Sequence, residues 1–199
     1  MDYKEENKRT YDTYADDFDT KFSEHLKNIQ QFADEFLSEL KGNRILDAGC
    51  GSGNHAEYFK DHGLDVFGID ISEEMVARAK AKGVNAQVMD LENIHFLPES
   101  FDGIWAYASL LHVPKDKIQK VVSDLASKLR PGGLFAGSVK KGEGERFETH
   151  EKYPGTQRLF VYYGQDELKD LFKGFELVSM SEAQARKNIF IHFLFRKHD

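Results

Sequence analysis

The chain has 199 residues, which suits one domain, and its 40% hydrophobic content excludes an intrinsically disordered protein. A formal net charge of -7 argues against a generic nucleic-acid binder, because such binders rely on Lys and Arg to neutralise phosphates. Cys50 is the only cysteine and no secretory or membrane-spanning apolar run is present, so we expect a cytoplasmic protein with no membrane partner.

The first half of the chain predicts helices that alternate with apolar strands. SEHLKNIQQFADEFLSELKG has apolar residues at helical spacing from Ile29 to Leu40, and Gly42 can end that helix in a left-handed conformation. The apolar strand RILDAG is followed by the helix NHAEYFKDHG, for which Asn54 is the expected N-cap. The strand DVFGID comes next, Ser72 then caps the helix EEMVARAKAKG, and NAQVMD forms the third strand.

The second half continues this alternation as far as Lys141 and then changes. FDGIWAYA is the fourth predicted strand, Pro114 opens the helix KDKIQKVVSDLASKL, and GLFAGSV is the fifth strand. Apolar strands that alternate with helices predict a parallel sheet covered on both faces. Beyond Lys141, KGEGERFETHEKYPGTQ predicts a long mobile loop and QDELKDLF a short helix. FELVSMSEAQA and NIFIHFLFRK have no helix between them, so we expect these two strands to pair antiparallel.

Three glycines occupy alternate positions directly after the first strand, at Gly49, Gly51 and Gly53. A strand-to-helix loop without side chains lets a ligand approach the main chain, and the amides at the helix end favour an anionic group. A tight turn without a ligand would need only one glycine. The spacing D-x-G-x-G-x-G, which begins at Asp47, differs from the G-x-G-x-x-G of dinucleotide folds. No Walker lysine follows, so a triphosphate ligand is not expected.

Two further acids end the next two predicted strands. Asp70 lies about the right distance beyond the glycines for a carboxylate that accepts both hydroxyls of a ribose. Such a carboxylate would repel a 2′-phosphate, so Asp70 indicates an unphosphorylated ribose. Asp90 ends the third strand and would lie near the edge of the adenine.

Five segments together resemble the successive motifs of class I S-adenosylmethionine-dependent methyltransferases. In order they are ILDAGCGSG, VFGIDIS, VMDLENI, FDGIWAYASLLHVP and LRPGGLFAGSV, over roughly residues 44 to 140. The resemblance implies an α/β fold with a Rossmann-like, doubly wound, seven-stranded sheet in the order 3-2-1-4-5-7-6, whose last strand is antiparallel. It also implies one compact domain in which residues 1–42 form a helical lid and residues 43–199 form the methyltransferase domain.

The same resemblance implies S-adenosyl-L-methionine as the cofactor. The glycine loop would contact its methionine part, Asp70 its ribose, and Ile71 and Met75 the faces of its adenine. Asp47 would hold the glycine loop in its conformation. The full set of residues expected at the cofactor is Tyr11, Asp47, Gly49, Cys50, Gly51, Gly53, Asp70, Ile71, Met75, Asp90, Leu91, Ala106 and Tyr107.

Methyl transfer from a sulfonium is an in-line displacement with an excellent leaving group, so alignment and exclusion of water lower much of the barrier. A base is needed only when the nucleophile arrives protonated. The candidate catalytic residues are His112, at the ligand-bearing edge of the sheet, and Tyr14, in an N-terminal segment that could fold over the cofactor. Alternatively, His112 only packs the start of the next helix and bonds the backbone, and Tyr11 and Tyr14 belong to a surface amphipathic helix.

The sequence favours a small-molecule acceptor, because the charge balance is acidic and no added recognition domain is evident. Residues 103–115 contain no Asp or Glu, which a magnesium-dependent catechol-type enzyme would want there, so we expect no metal. Arg158 follows the predicted mobile loop and could meet an acidic substrate, although an ordinary surface arginine is the preferred interpretation.

Two other functions stay open at this point. One is a noncatalytic module that binds S-adenosylmethionine and supports a partner protein. The other is a nicotinamide-dependent oxidoreductase, which the glycine spacing disfavours. The sequence leaves the acceptor atom and the oligomeric state open.

Overall fold

The computed structural model describes residues 2–198, apart from the side chains at positions 22 and 24–28. The helices are α1 (Tyr3–Thr13), α2 (Ala15–Glu39), α3 (Asn54–Asp61), α4 (Glu73–Ala81), α5 (Lys115–Ala126) and α6 (Gln165–Leu171), with a short 3-10 turn at Leu110–His112. The strands are β1 (Arg44–Ala48), β2 (Asp65–Asp70), β3 (Asn85–Val88), β4 (Phe101–Tyr107), β5 (Leu129–Lys141), β6 (Glu145–Thr149), β7 (Gln157–Tyr163), β8 (Phe175–Ala185) and β9 (Asn188–Lys197). Over the described residues, no helix is long and apolar enough to cross a membrane.

Seven strands of the described chain follow the predicted order, as β3-β2-β1-β4-β5-β9-β8. Strands β1 to β5 pair parallel, and β9 runs antiparallel to both β5 and β8. Since β8 and β9 are the sixth and seventh strands of the prediction, the Rossmann-like α/β class and the order 3-2-1-4-5-7-6 are confirmed. The parallel strands place their carboxyl ends at one edge of the sheet, where ligands bind in such folds.

The mobile loop predicted after Lys141 is wrong, because this segment forms a β-hairpin. Strands β6 and β7 pair antiparallel, and β7 also pairs in parallel with the last two residues of β5, Lys140 and Lys141. The polar composition misled the prediction, since β6 is an exposed edge strand and such strands carry charged side chains. The hairpin extends the sheet beyond the end of β4 and beside the carboxyl edge.

Helix α3 differs from the prediction at its first turn. Gly53, with φ 82°, is the N-cap and Asn54 is the first helical residue, so the assignment of Asn54 as N-cap is wrong. The Asn54 side chain instead accepts a hydrogen bond from Lys82 Nζ at 2.6 Å. Ser72 caps α4 as predicted, because its Oγ accepts from the amide of Met75 at 3.1 Å.

Apolar side chains fill both faces of the sheet. One layer packs α2 and α3 against the sheet and contains Phe32, Phe36, Phe59, Trp105 and Leu194. The opposite layer packs α5 and α6 against it and contains Leu125, Phe135, Leu168, Phe172 and Phe193. Each fully buried side chain of this size contributes about 1.5–3 kcal/mol, so the two layers hold the strand ends rigidly in place.

Helix α1 lies along β7 and over the carboxyl ends of β2 and β3. The amide of Leu159 donates to Asn7 Oδ1 at 2.8 Å, and Thr10 Oγ1 donates to the carbonyl of Gln157 at 3.0 Å. Lys4 Nζ forms an ion pair with Asp90 at 2.6 Å. These polar contacts fix the N-terminal helix across the edge at which the parallel strands end.

Candidate functional site

The loop between β1 and α3 has a main chain that only glycine adopts easily. Gly49, Gly51 and Gly53 have φ values of 85°, 52° and 82°. A Cβ atom at Gly49 would lie 2.3 Å from Ser109 Cβ, and one at Gly53 would lie 2.9 Å from Ala79 Cβ. The fold therefore demands glycine at these positions, and the resulting loop presents bare main chain at the edge of the sheet.

Hydrogen bonds from β2 and from the segment after β4 hold this loop. The amides of Gly49 and Cys50 both donate to the carbonyl of Ile69, at 2.8 and 2.9 Å. Ser109 Oγ donates to the carbonyl of Ala48 at 2.6 Å. Sequence reasoning missed Ser109, whose role depends on contact between strands that are distant in the chain. The loop is thus fixed in shape by the protein itself.

Asp70 joins the end of β2 to the glycine loop. Its Oδ2 accepts from the amide of Gly51 and its Oδ1 from the amide of Ser72, both at 2.9 Å. Removal from water raises the pKa of Asp70, although these two amide bonds favour the charged form. An ionised carboxylate has about four acceptor positions, so the two carboxylate oxygens retain capacity for two ligand hydroxyls.

Asp47 is buried directly beneath the loop, where it pairs in register with Trp105 of β4. Its Oδ2 has no hydrogen-bond partner among the described residues. Burial, together with the nearby Asp70 charge, raises the pKa of Asp47 to about 8. Asp70, Ile69 and Ser109 make the described bonds to the loop, whereas Asp47 presents an unused acceptor that a cationic group could use.

The residues predicted at the adenine differ in burial. Met75 is buried, while Ile71 and Leu91 are partly buried. Asp90 is paired with Lys4 of α1, a contact that sequence reasoning missed. Lys4 and Lys8 are four residues apart, and helical spacing was the one signal in the sequence that could have placed both on one face.

Helix α1 also contacts the start of α4. Asp12 Oδ1 accepts from Ser72 Oγ at 2.6 Å and from the amide of Glu74 at 3.3 Å. Asp12 in turn pairs with Lys8 at 2.9 Å. Tyr11 and Phe18 pack above the same edge, with ring centroids 4.6 Å apart. The first two helices therefore cover the edge of the sheet that carries the glycine loop.

A chain of hydrogen bonds links the predicted catalytic His112 to this cover. His112 Nδ1 lies 2.6 Å from the carbonyl of Leu159, so Nδ1 carries the proton and donates. His112 Nε2 then accepts from Tyr11 Oη at 2.8 Å, and Arg158 Nη1 donates to that hydroxyl at 3.0 Å. Burial and the Arg158 charge lower the pKa of His112 to about 3, so the imidazole is neutral.

Tyr14 does not take part in this series of hydrogen bonds. Its hydroxyl donates to the carbonyl of Pro154 at 2.8 Å, and its ring centroid lies 5.1 Å from that of Tyr153. No contact described in the structure joins Tyr14 to His112. Of the other residues expected at the cofactor, Ala106 is fully buried and Tyr107 Oη lies 3.3 Å from His192 Nε2. The side chains that the structure describes contain no cluster of three metal-ligating groups.

Replacement of Tyr11 by phenylalanine is expected to lower the free energy of unfolding by about 1–2 kcal/mol. The substitution removes the donor to His112 Nε2 and the acceptor for Arg158, and both groups are shielded from water. Tyr14→Phe is the matched control, because it removes a hydroxyl bonded to an exposed loop carbonyl and should change the free energy by less than about 0.5 kcal/mol. Urea unfolding of the two variants measures both values. Equal losses of unfolding free energy would contradict the hydrogen bonds that join His112, Tyr11 and Arg158.

Comparison with known proteins agrees with this geometry. Residues 45–133 match the protein family described as "Methyltransferase domain". The chain is 31% identical over 120 residues to a malonyl-[acyl-carrier protein] O-methyltransferase of Enterobacter lignolyticus, covering 58% of this chain and 47% of the relative. It is 34% identical over 109 residues to a ubiquinone biosynthesis O-methyltransferase of Coxiella burnetii, covering 51% and 46%. The chain spans about half the length of these curated relatives.

Solved structures match over nearly the whole chain. The magnesium protoporphyrin IX methyltransferase of Synechocystis PCC 6803 superposes with a TM-score of 0.75 at 17% identity, over 99% of this chain and 98% of its own. A 1,6-didemethyltoxoflavin-N1-methyltransferase of Burkholderia thailandensis gives 0.66 at 21% identity, over 94% and 90%. The sheet order and the loop thus define the class I methyltransferase fold. The match to the methyltransferase-domain family covers residues 45–133, the part of the chain that holds the glycine loop and Asp70.

Proposed function

We propose that the chain transfers a methyl group from S-adenosyl-L-methionine to a small-molecule acceptor. The observation that carries this proposal is the Asp70 carboxylate, which is bonded to the amide of Gly51 at the carboxyl edge of a methyltransferase sheet. A bare main-chain loop and an acid that retains acceptor capacity are what an adenosyl ligand without phosphates requires.

The residues present fit this cofactor. Asp70 accepts the ribose hydroxyls, Met75 and Ile71 lie on the adenine side, and the glycine loop contacts the methionine part. The unpartnered Asp47 Oδ2 supports the fit, because the cofactor carries an ammonium group and a buried acceptor without a partner is otherwise costly. When bound, the cofactor supplies a methyl group on a sulfonium sulfur, which departs as a neutral thioether.

The protein's own part in the reaction is alignment and exclusion of water. Helices α1 and α2 cover the edge at which the acceptor and the cofactor would meet, which excludes water from a displacement that needs no metal or base for its leaving group. Neutral His112 holds the Tyr11 hydroxyl in place through Nε2. The roles of His112 and Tyr14 as acid–base residues stay predictions, as do the cytoplasmic location and the lack of nucleic-acid partners.

The decisive experiment combines a binding and a turnover measurement. Calorimetric titration with S-adenosylhomocysteine and with NAD should show binding of the first and none of the second. A metabolite library should then contain an acceptor that drives formation of S-adenosylhomocysteine from S-adenosylmethionine. Preferential binding of NAD would exclude the methyltransferase proposal. Tight binding of S-adenosylhomocysteine with no turnover of any acceptor would favour the noncatalytic module.

A further inference from the structure

Arg158 is a buried cation for which the described residues provide no counterion. Its side chain belongs to β7 and the residue is only 9% exposed, so the interpretation of Arg158 as an ordinary surface arginine is wrong. Among the side chains that the structure describes, Arg158 has no ion-pair partner, and its one hydrogen bond goes to Tyr11 Oη. A guanidinium has five N–H donors, so most of its donor capacity is unused in this structure.

Aromatic rings surround the guanidinium where a carboxylate would be expected. The Arg158 Cζ atom lies 4.9 Å from the ring centroid of Phe160, 5.0 Å from Phe18, 5.3 Å from Tyr11 and 5.7 Å from Tyr153. Cation–π attraction offsets part of the lost hydration. The ring faces do not replace the planar acceptors that an arginine fork binds best, which are the paired oxygens of a carboxylate or phosphate.

Two lysines add positive charge at the same place. Lys140 Nζ lies 3.3 Å from the ring centroid of Phe160, on the same ring that Arg158 contacts. Lys21 Nζ lies 5.7 Å from the ring centroid of Phe18. Burial and the neighbouring cations, Arg158 first, lower the pKa of Lys21 to about 8. These three side chains therefore share one desolvated, positively charged region.

The described acids do not balance this charge. Lys140 pairs with Glu148 at 3.0 Å, but Glu148 also accepts from Tyr162 and pairs with Arg146 at 3.3 Å. Glu148 stands opposite Arg158 in the register of β6 and β7, but among the described side chains no carboxylate forms an ion pair with Arg158 or Lys21. An uncompensated buried charge is unfavourable for folding, which indicates that its purpose lies in a bound state.

The position of the charged region connects it to methyl transfer. Tyr11 links Arg158 directly to His112, which follows β4 at the ligand-bearing edge. The cover over Arg158 comes from α1, α2 and the hairpin loop, through Tyr11, Phe18 and Tyr153. None of these three belongs to the two main apolar layers of the fold. A ligand group can therefore reach Arg158 by displacing peripheral rings while the sheet stays intact.

We propose that Arg158, with Lys140 and Lys21, binds an oxyanion group of the acceptor, either a carboxylate or a phosphoryl group. The identification of this anion as part of the acceptor rests on the proposed methyltransferase function, whereas the anion site itself rests only on the side chains around Arg158. Arg158 supplies the paired donors and the two lysines supply charge. The aromatic rings flank the organic part that carries the anion.

The test uses calorimetry on protein saturated with S-adenosylhomocysteine. Benzoate and inorganic phosphate are the two anionic probes, and benzamide is the neutral counterpart of benzoate. We expect at least one anion to bind at least tenfold more tightly than benzamide, and the preferred anion identifies the acceptor group. If neither anion binds at millimolar concentration, or if benzamide matches benzoate, the proposal is overturned.

Substitutions test whether the anion binds in the charged region formed by Arg158, Lys140 and Lys21. Arg158→Met should weaken binding of the preferred anion at least tenfold, and Lys21→Met, at a partly buried position without a described hydrogen bond, should weaken it severalfold. Arg158→Lys should restore part of the loss. Arg44→Met is the control, because Arg44 begins β1 at the opposite edge of the sheet and is exposed there. Unchanged anion affinity in Arg158→Met would overturn the proposal, and Lys21→Met provides the same test if Arg158→Met folds poorly.

The same titrations separate the two proposals. Binding of S-adenosylhomocysteine without binding of either anion removes the anion site and leaves the methyltransferase function intact. If S-adenosylhomocysteine does not bind, the anion titrations are repeated on the cofactor-free protein. Anion binding that depends on Arg158 in that protein would keep the site and remove the proposed function.

Discussion

Replacement of Asp70 by alanine should weaken binding of S-adenosylmethionine by about 1.5–3 kcal/mol, roughly 10- to 150-fold, because two charge-assisted hydrogen bonds to the ribose are lost. The structure adds a second reason, since Asp70 also accepts from the amides of Gly51 and Ser72. Loss of the carboxylate therefore removes a ligand contact and loosens the loop that presents the other contacts. Calorimetric titration of the variant measures the combined effect.

Substitutions at Asp70 separate the loss of the ribose hydrogen bonds from the loosening of the glycine loop. Asp70→Asn keeps the size and one carbonyl acceptor, so it should retain more of the loop than alanine does while losing the charge. Asp65→Ala is the matched control, because Asp65 begins the same strand at the opposite, exposed end. Its affinity for the cofactor should equal that of the unaltered protein. An unchanged affinity in Asp70→Ala would remove the ribose assignment.

The strands of the parallel sheet were predictable because their chemistry is local. Parallel strands are buried on both faces and appear in sequence as continuous apolar runs, as ILDAG and FDGIWAYA do. The β6–β7 hairpin lacks that signal. Strand β6 forms an edge whose side chains are mostly exposed, so its residues read as a loop until the pairing with β7 is known.

The contacts of the candidate site also divide into those that the sequence predicts and those that it does not. The glycine loop and Asp70 are separated by about one strand and one helix of sequence, and the structure joins them through the amide of Gly51. The contacts of α1 could not be predicted, because helical spacing defines a face but not the surface on which that face packs. The pairs Lys4–Asp90 and Arg158–Tyr11 join residues 86 and 147 positions apart. Sequence reasoning therefore related the glycine loop to Asp70 but did not place Lys21 and Lys140 near Arg158.

Asp47→Asn should change how stability depends on pH. Burial raises the pKa of Asp47 to about 8, whereas an aspartate in an unfolded chain titrates near 3.9. Between these values the unfolded chain has released a proton that the folded chain retains, so rising pH favours unfolding. The expected slope is about 1.4 kcal/mol per pH unit, which lowers the free energy of unfolding by about 3 kcal/mol between pH 5 and pH 7.5.

The asparagine variant lacks this titration, so its stability relative to the unaltered protein should rise by about 3 kcal/mol over the same pH interval. Urea unfolding at pH 5, 6.25 and 7.5 measures the difference at each pH. Any fixed cost of the amide shifts all three values equally and cancels from the slope. Asp61→Asn, which removes an exposed carboxylate at the end of α3, controls for loss of charge alone. A constant difference between Asp47→Asn and the unaltered protein would mean that burial does not raise the pKa of Asp47 over this pH interval, and Asp47 would then be ionised beneath the loop in the free protein as well.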